Sequence, residues 1–439
     1  MPAPRKQPAA PHTGHRAPAP ARACAYAVVR RVFERGAYAD HALQSEAGTL
    51  EPRDRALAMR LSYGAIQRRA TLDHLIGELA ERPAERLDAP LLQALRLGMY
   101  ELCYLGGAPA YAIVADAVEL AKTHARAGAG LVNAVLRRAE RAGAPRLLDG
   151  LTDATPEQAA LKHSHPEWVA RLLWEELGAE QARALMAADN EPAELALRAN
   201  ALLTDADALA QTLGVKTHRD PELPEALVLE EPFDLHASEA WREGGAIAQS
   251  RGAMLVSRML APEPGERVLD LCAAPGGKST HLAALMGGAG EVLAVERDAR
   301  RAAALEQTAR RLRAPNVRVE VADAANPRSD GPFDRVLVDP PCSGLGTLQA
   351  RPDLRWRVSE RSLADMARSQ AAILRAGAGA LRPGGVLVYS TCTVSPLENE
   401  HVIAAFLEST PEFSVDAVRQ TLPHLDRTAG FYIARLKRG

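Results

Sequence analysis

From Arg267 onward the chain alternates short β-branched runs with longer helical stretches, and this alternation restricts the fold more than any other feature. Strand-like runs occupy 267–272, 291–296, 317–322, 333–338 and 386–391; helical spacing fills 278–286, 299–312, 361–381 and 396–407. Such a pattern folds as βαβ units in a parallel, doubly wound sheet, because a parallel crossover needs about a helix's length to bring the chain back. The closing Phe431–Lys437 reads as one more strand, after a gap holding Glu412–Val418. Open sheets of this kind carry their chemistry just past the strand ends.

Two of those ends carry cysteines. Val336, Leu337 and Val338 suit a buried strand, and Pro340 and Pro341 end it because they donate no backbone hydrogen bond. Asp339 and Cys342 are thereby delivered to the mouth of the sheet. The last parallel strand ends in Ser390-Thr391-Cys392, followed by Ser395-Pro396-Leu397-Glu398. Ser395 with Glu398 has the spacing of a capping box, and Pro396 fits a first helical position. That predicts a helix N-terminus close to Cys392, whose dipole favours a thiolate. One cysteine at a strand end is ordinarily inert packing. Two at one mouth beside a carboxylate are not readily explained that way.

The first strand runs into Cys272-Ala273-Ala274-Pro275-Gly276-Gly277-Lys278, a glycine-rich turn opening a helix. Such a turn lets backbone N–H groups approach a ligand. A phosphate-binding P-loop would need glycine where Cys272 stands, and a GxGxxG dinucleotide turn is absent. S-adenosylmethionine suits the turn better: Glu296 ends the second strand, placed to accept from ribose hydroxyls, and Asp323 follows the third, where an adenine edge would lie. A methyl donor beside two thiols and a carboxylate fits methylation of a pyrimidine C5. That carbon is too weak a nucleophile until a thiolate adds at C6, and a carboxyl at the N3/N4 edge stabilises the ring charge.

These residues closely resemble the Nol1/Nop2/Sun family of RNA cytosine-C5 methyltransferases, over about residues 240–439. The resemblance rests on Cys272–Lys278, on Asp339-Pro-Pro341-Cys342-Ser343-Gly344 and on Thr391-Cys392. It implies that Cys392 is the nucleophile, that Cys342 assists product release and that Asp339 binds the target cytosine with Lys278 nearby. It also implies that residues 272–278, Glu296, Asp323 and Asp339 bind S-adenosylmethionine, and that the segment from Arg351 through Arg355 to Trp356 lines an RNA groove. The family commonly has alanine where this chain has Pro340. Asp-Pro-Pro followed by an aromatic would mark an amino-methyltransferase, but Cys342 stands in the aromatic's place.

The rest of the chain reads differently. Residues 21–148 are helical throughout, with apolar faces at three- and four-residue steps. Pro52-Arg53-Asp54-Arg55, Leu95-Arg-Leu-Gly98-Met-Tyr100 and Leu131-Val-Asn133-Ala-Val135-Leu136-Arg137-Arg138 resemble the NusB-type RNA-binding bundle, which implies RNA contact from its arginines. Residues 149–245 form a small α+β linker module, 246–439 the Rossmann-like α/β domain with a helix over 246–260, and 1–20 a Pro- and Ala-rich disordered tail. A NusB-like bundle ahead of this catalytic domain is the order seen in the bacterial 16S rRNA enzymes of RsmB/Sun type, which makes 16S rRNA the expected partner.

Charge is consistent with that partner. Residues 1–150 carry 21 Lys/Arg against 15 Asp/Glu, leaving 32 against 40 in the remainder, so a basic N-terminal third hides within a net charge of −2. No apolar run approaches the ~18 residues needed to span a membrane. The first twenty residues lack a signal peptide's apolar core. Five dispersed cysteines without metal spacing suggest free thiols in the cytoplasm and no metal. A monomer would be adequate. The competing class is a non-enzymatic RNA-binding factor, which gives no account of the paired cysteines.

Overall fold

Prolines open three long helices near the start of the chain: Pro20, Pro52 and Pro90 all fall in a first turn, where their missing N–H is no loss. The computed structural model describes residues 17–439, so most of the expected N-terminal tail lies outside the described residues. The first of two compact units ends at Glu167. It is built of α1 (Pro20–Arg35), α2 (Ala39–Glu46), α3 (Pro52–Gln67), α4 (Arg69–Ala80), α5 (Ala89–Tyr100), α6 (Ala110–Ala125), α7 (Ala129–Ala142) and α8 (Pro156–His163). α3 and α5 meet through Gly64, where an added Cβ would sit 1.9 Å from the Tyr100 ring. Arg96 is buried and forks onto Asp73 at 2.7 and 2.6 Å, and Arg22 ties Glu101 to Asp116. Those arginines hold helices together. Arg53, Arg55 and Arg60 stand exposed on α3 instead.

The second unit is Trp168–Gly439. α9 (Glu167–Ala188) leads to it and is interrupted at Gly178, whose φ of +76° no helix accepts. Next come β1 (Ala196–Ala199), α10 (Ala206–Leu213), β2 (Thr217–Arg219), β3 (Ala226–Leu229) and β4 (Ala246–Ala248). The four strands form an antiparallel sheet in the order β2-β3-β1-β4. Sequence alone predicts a helix from Ala246, but Ala246–Ala248 pairs with Leu197–Ala199. The helix waits for Ser250, whose hydroxyl accepts from Ala253 N–H, and runs as α11 (Arg251–Leu260). The small sheet therefore extends past residue 245.

Apart from short helical turns, the remaining elements are β5 (Arg267–Leu271), α12 (Gly277–Leu285), β6 (Glu291–Glu296), α13 (Ala299–Arg311), β7 (Val317–Val321), β8 (Phe333–Val338), α14 (Glu360–Ala380), β9 (Leu381–Thr391), α15 (Glu400–Ser409), β10 (Phe413–Thr421) and β11 (Phe431–Arg438). They make a seven-stranded sheet in the order β10-β11-β9-β8-β5-β6-β7. β9, β8, β5, β6 and β7 are parallel, as the alternation requires. β11, the closing strand, is antiparallel to β9 and to β10, a direction the alternation of the earlier elements does not set. Only nine residues separate β10 from β11, too few for a parallel crossover. β10 is an edge strand with five consecutive exposed residues, so it has no apolar run to announce it.

Neighbouring strand residues bury into opposite layers. Leu269, Leu293, Val336 and Leu387 pack with α14 residues Ile373 and Leu374; Val268, Val292, Leu337 and Val388 pack with Met254, Leu255 and Leu282 of α11 and α12. With both faces covered, function is left to the C-terminal edge. Among the described residues no helix is long and apolar enough to cross a membrane.

Candidate active site

Parallel strands in the order β9-β8-β5-β6-β7 put Cys392, Asp339, Cys272, Glu296 and Asp323 along one edge of the sheet. Every residue singled out for chemistry is on it. Cys342 Sγ lies 3.2 Å from Cys392 Sγ, within a sulfur hydrogen bond. Asp339 is fixed by both oxygens: Lys278 Nζ donates to Oδ2 at 2.7 Å and Ser390 Oγ to Oδ1 at 2.8 Å. The ammonium also faces the Phe431 ring, 5.2 Å from its centroid. Burial acts to lower the Lys278 pKa, but Asp339 outweighs it and the net shift is upward, so the charge persists.

The two thiols are not equivalent. The Cys392 thiol is held below its ordinary range, first by the hydrogen bond from Cys342, with Lys278 and Arg351 adding positive potential against burial and Asp339. Cys342 is pushed up as the donor in that bond, by burial and by the field of Glu398. Cys392 is therefore the thiol of the pair that ionises more readily. The helix dipole expected to assist it is absent. Pro396–Glu398 is a single 3-10 turn, Ser395 makes no capping bond, and α15 begins only at Glu400. Glu398 faces the interior and accepts from Ser343 N–H at 2.8 Å, because the buried amide beside Cys342 needs an acceptor.

The glycine-rich turn is shaped for close approach. Cys272 has φ +64°, a left-handed conformation rare for a side chain with a Cβ, and Gly276 has φ +99°, where a Cβ would press on Leu305 Cγ at 3.0 Å. No side chain caps α12, so its first N–H groups are open to a ligand. Ala273 and Gly276 are buried, Ala274 and Gly277 half-buried, and Pro275 exposed. The Glu296 carboxyl is buried at the end of β6, and Asp323 is exposed beyond β7. Free backbone donors in the turn and carboxylates at the next two strand ends are the donor set an adenosyl group with a ribose diol requires, and the fit is good. Burial, with three nearby carboxylates, pushes the Cys272 thiol up to about 12, so it contributes no thiolate.

One expected groove residue is not there. Arg355 is fully buried, donating to Asn190 Oδ1 and to the Asp189 carbonyl at 3.0 Å each, while Arg351 is exposed. Ser390, which holds Asp339, carried no sequence signal beyond standing two residues before Cys392.

Asp270, near the C-terminal end of β5, has a testable consequence. It is fully buried; Ser279 Oγ donates to Oδ2 at 2.6 Å, and Oδ1 has no partner. Burial raises its pKa to about 7, against about 3.9 in an unfolded chain. The folded state thus holds this proton more tightly, and the stability it contributes is full below about pH 4 and lost as pH rises to about 7. Asp270→Asn should flatten the pH dependence of the urea midpoint over that window; an unchanged slope would contradict the assignment.

Comparison with known proteins agrees with this geometry. Residues 257–437 match the 16S rRNA methyltransferase RsmB/F model, 19–141 the NusB family and 165–236 the ferredoxin-like domain of RsmF/B-like methyltransferases. A probable ribosomal RNA small subunit methyltransferase B from Synechocystis is 35% identical over 95% of this chain and 99% of its own. The ribosomal RNA small subunit methyltransferase B of Klebsiella pneumoniae is 33% identical over 94% of this chain and 97% of its own. The crystal structure of PH0851 superposes with a TM-score of 0.81 at 26% identity, covering 96% of this chain and 99% of that one. With a cofactor turn, a clamped carboxylate and paired thiols at one sheet edge behind a NusB-like bundle, the chain belongs to the RsmB/F family of S-adenosylmethionine-dependent rRNA methyltransferases.

Proposed function

We propose that this enzyme methylates C5 of a cytosine in 16S rRNA through a covalent adduct between Cys392 and the ring C6. The observation that carries the reading is the 3.2 Å approach of Cys342 to Cys392 beside an Asp339 held by Lys278 and Ser390. The Cys392 thiolate adds to C6. Asp339, its orientation fixed from both sides, accepts from the N4 amino group and holds the ring, and the Lys278 ammonium beside it offsets the negative charge that moves into the ring. Bound S-adenosylmethionine supplies the electrophilic methyl for the activated C5, against residues 272–278, Glu296, Asp323 and Asp339. The C5 proton then passes to solvent, its bonding pair re-forms the C5=C6 double bond as the C6–S bond breaks, and Cys342, keeping its own proton, hydrogen-bonds the departing Cys392 thiolate.

The basic bundle is the natural RNA-binding element, with Arg53, Arg55 and Arg60 as its exposed candidates. The enzyme is proposed to act as a monomer, in the cytoplasm, on rRNA or an assembling small subunit, with modules divided near residues 148 and 245.

Two measurements test this. Label transferred from S-adenosylmethionine to a 16S transcript is expected in 5-methylcytidine after nucleoside digestion; label in any other nucleoside overturns the chemistry. Cys342→Ala is expected to accumulate an enzyme–RNA adduct that survives denaturing gels. A variant that turns over freely without adduct contradicts the release role.

A further inference from the structure

Glu398 and Asn399 are consecutive and fully buried, and the chemistry above assigns neither a part. Glu398 Oε1 accepts from Ser343 N–H at 2.8 Å and from Gln370 Nε2 at 3.0 Å. The same Nε2 donates to the Pro341 carbonyl at 3.0 Å. The residues on both sides of Cys342 are thus tied to one carboxylate oxygen. Asn399 does the equivalent for the other cysteine. Thr391 Oγ1 donates to Asn399 Oδ1 at 2.5 Å, and Asn399 Nδ2 donates to the Thr393 carbonyl at 3.1 Å. Tyr389 OH then anchors the pair by donating to the Glu398 carbonyl at 2.6 Å.

We propose that Glu398 and Asn399 are positioning residues, one for each thiol: Glu398 places Cys342, Asn399 places Cys392, and their shared peptide sets the distance between the sulfurs. This rests on the roles proposed above for the two cysteines. Packing alone gives no reason for a carboxylate here. Glu398 Oε2 is buried without a hydrogen bond, a state that costs free energy and that a neutral side chain would avoid. The carboxylate also adds a field that helps Cys342 keep its proton.

The two residues should fail in different ways, and a merely structural role would not separate them. Steady-state turnover on a 16S transcript and denaturing-gel detection of adduct are measured for each variant, with cofactor binding by calorimetry as the control for folding. Glu398→Ala is expected to lose on the order of 100-fold in kcat, since ångström-scale misplacement costs about that much, with little change in KM. It should accumulate adduct as Cys342→Ala does. Glu398→Gln keeps an Oε1 acceptor but loses the field, and should recover part of the lost turnover with less adduct than Glu398→Ala. Asn399→Ala should lose turnover comparably but show no adduct, because attack itself is slowed.

If Cys342→Ala traps adduct and Glu398→Ala does not, the proposal is overturned. If neither traps adduct, the assignment of the two cysteines has failed instead. Should Glu398→Ala not fold, Gln370→Leu cuts the bonds of that side chain to Pro341, Glu398 and Tyr389 but leaves the Ser343 N–H bond to Glu398 in place; it is expected to show a smaller accumulation of adduct, and a clean turnover would equally overturn the proposal.

Discussion

Cys392→Ala is expected to bind S-adenosylmethionine as the unaltered enzyme does and to transfer no measurable methyl to RNA. The sulfur meets Cys342, and the expected cofactor donors and carboxylates belong to other residues, so its loss leaves them in place. On the proposed chemistry methylation has no other route to an activated C5, and removal of a nucleophile from a catalytic unit ordinarily costs on the order of 10³-fold or more. Adduct is the second readout. Cys392→Ala should abolish it even in a Cys342→Ala background, since the bond to C6 never forms. Residual methylation at more than about one part in 10³ would mean that a different group attacks the ring. The pH profile adds a sign. A thiol held below its ordinary range predicts an acid limb for kcat/KM at lower pH than a free thiol would give. Lys278→Met should move that limb upward by removing one of the cations that favours the thiolate.

How much of this was legible beforehand depends on how local the cause was. Val336–Val338 stop at two prolines, and Gly276-Gly277 opens a helix; each is a short-range event with a short-range signature, so Asp339, Cys342, Cys392 and the cofactor turn are all visible in the sequence. The parallel order of the central strands follows from helix-length crossovers and is visible too. What the sequence misreports are places where a distant partner decides. Ser395 and Glu398 have the spacing of a capping box, yet the Ser343 amide, 55 residues away in sequence, takes the glutamate. Ala246–Ala248 looks helical until β1 offers it an edge. Arg355 sits in a basic stretch that suggests a groove, and buried acceptors near the end of α9 draw it inside. No window of neighbouring residues holds that information.

Arg198 is the strongest instance, and it carries the other large expected effect. It lies in β1 of the small sheet, fully buried, in a segment that reads only as an alternating strand. Its guanidinium donates to Gln249 Oε1, to the Gly277 carbonyl and, at 3.0 Å, to Thr280 Oγ1. Burial pulls its pKa down to about 9, still charged at neutral pH, and Glu225 supplies part of the compensating field. The small sheet thus grips the first turn of α12, the helix that carries Lys278 and begins at the cofactor turn. Arg198→Met fills a similar volume but removes every one of those donors. Hydrogen bonds to a charged group are worth about 1.5–3 kcal/mol each, and relief of the buried charge returns part of that, so a net loss of roughly 2–3 kcal/mol is expected. Arg198→Lys should recover little, because one ammonium cannot reproduce a fork that reaches three acceptors. The functional consequence is weaker cofactor binding, by about tenfold for a loss of 1.4 kcal/mol in the turn's preorganisation. Urea midpoints and calorimetric titration with S-adenosylmethionine read the two effects separately. A variant that loses stability and keeps its cofactor affinity would make Arg198 a packing residue of the module alone; a loss in both would make the ferredoxin-like module a working part of the methyl-donor site.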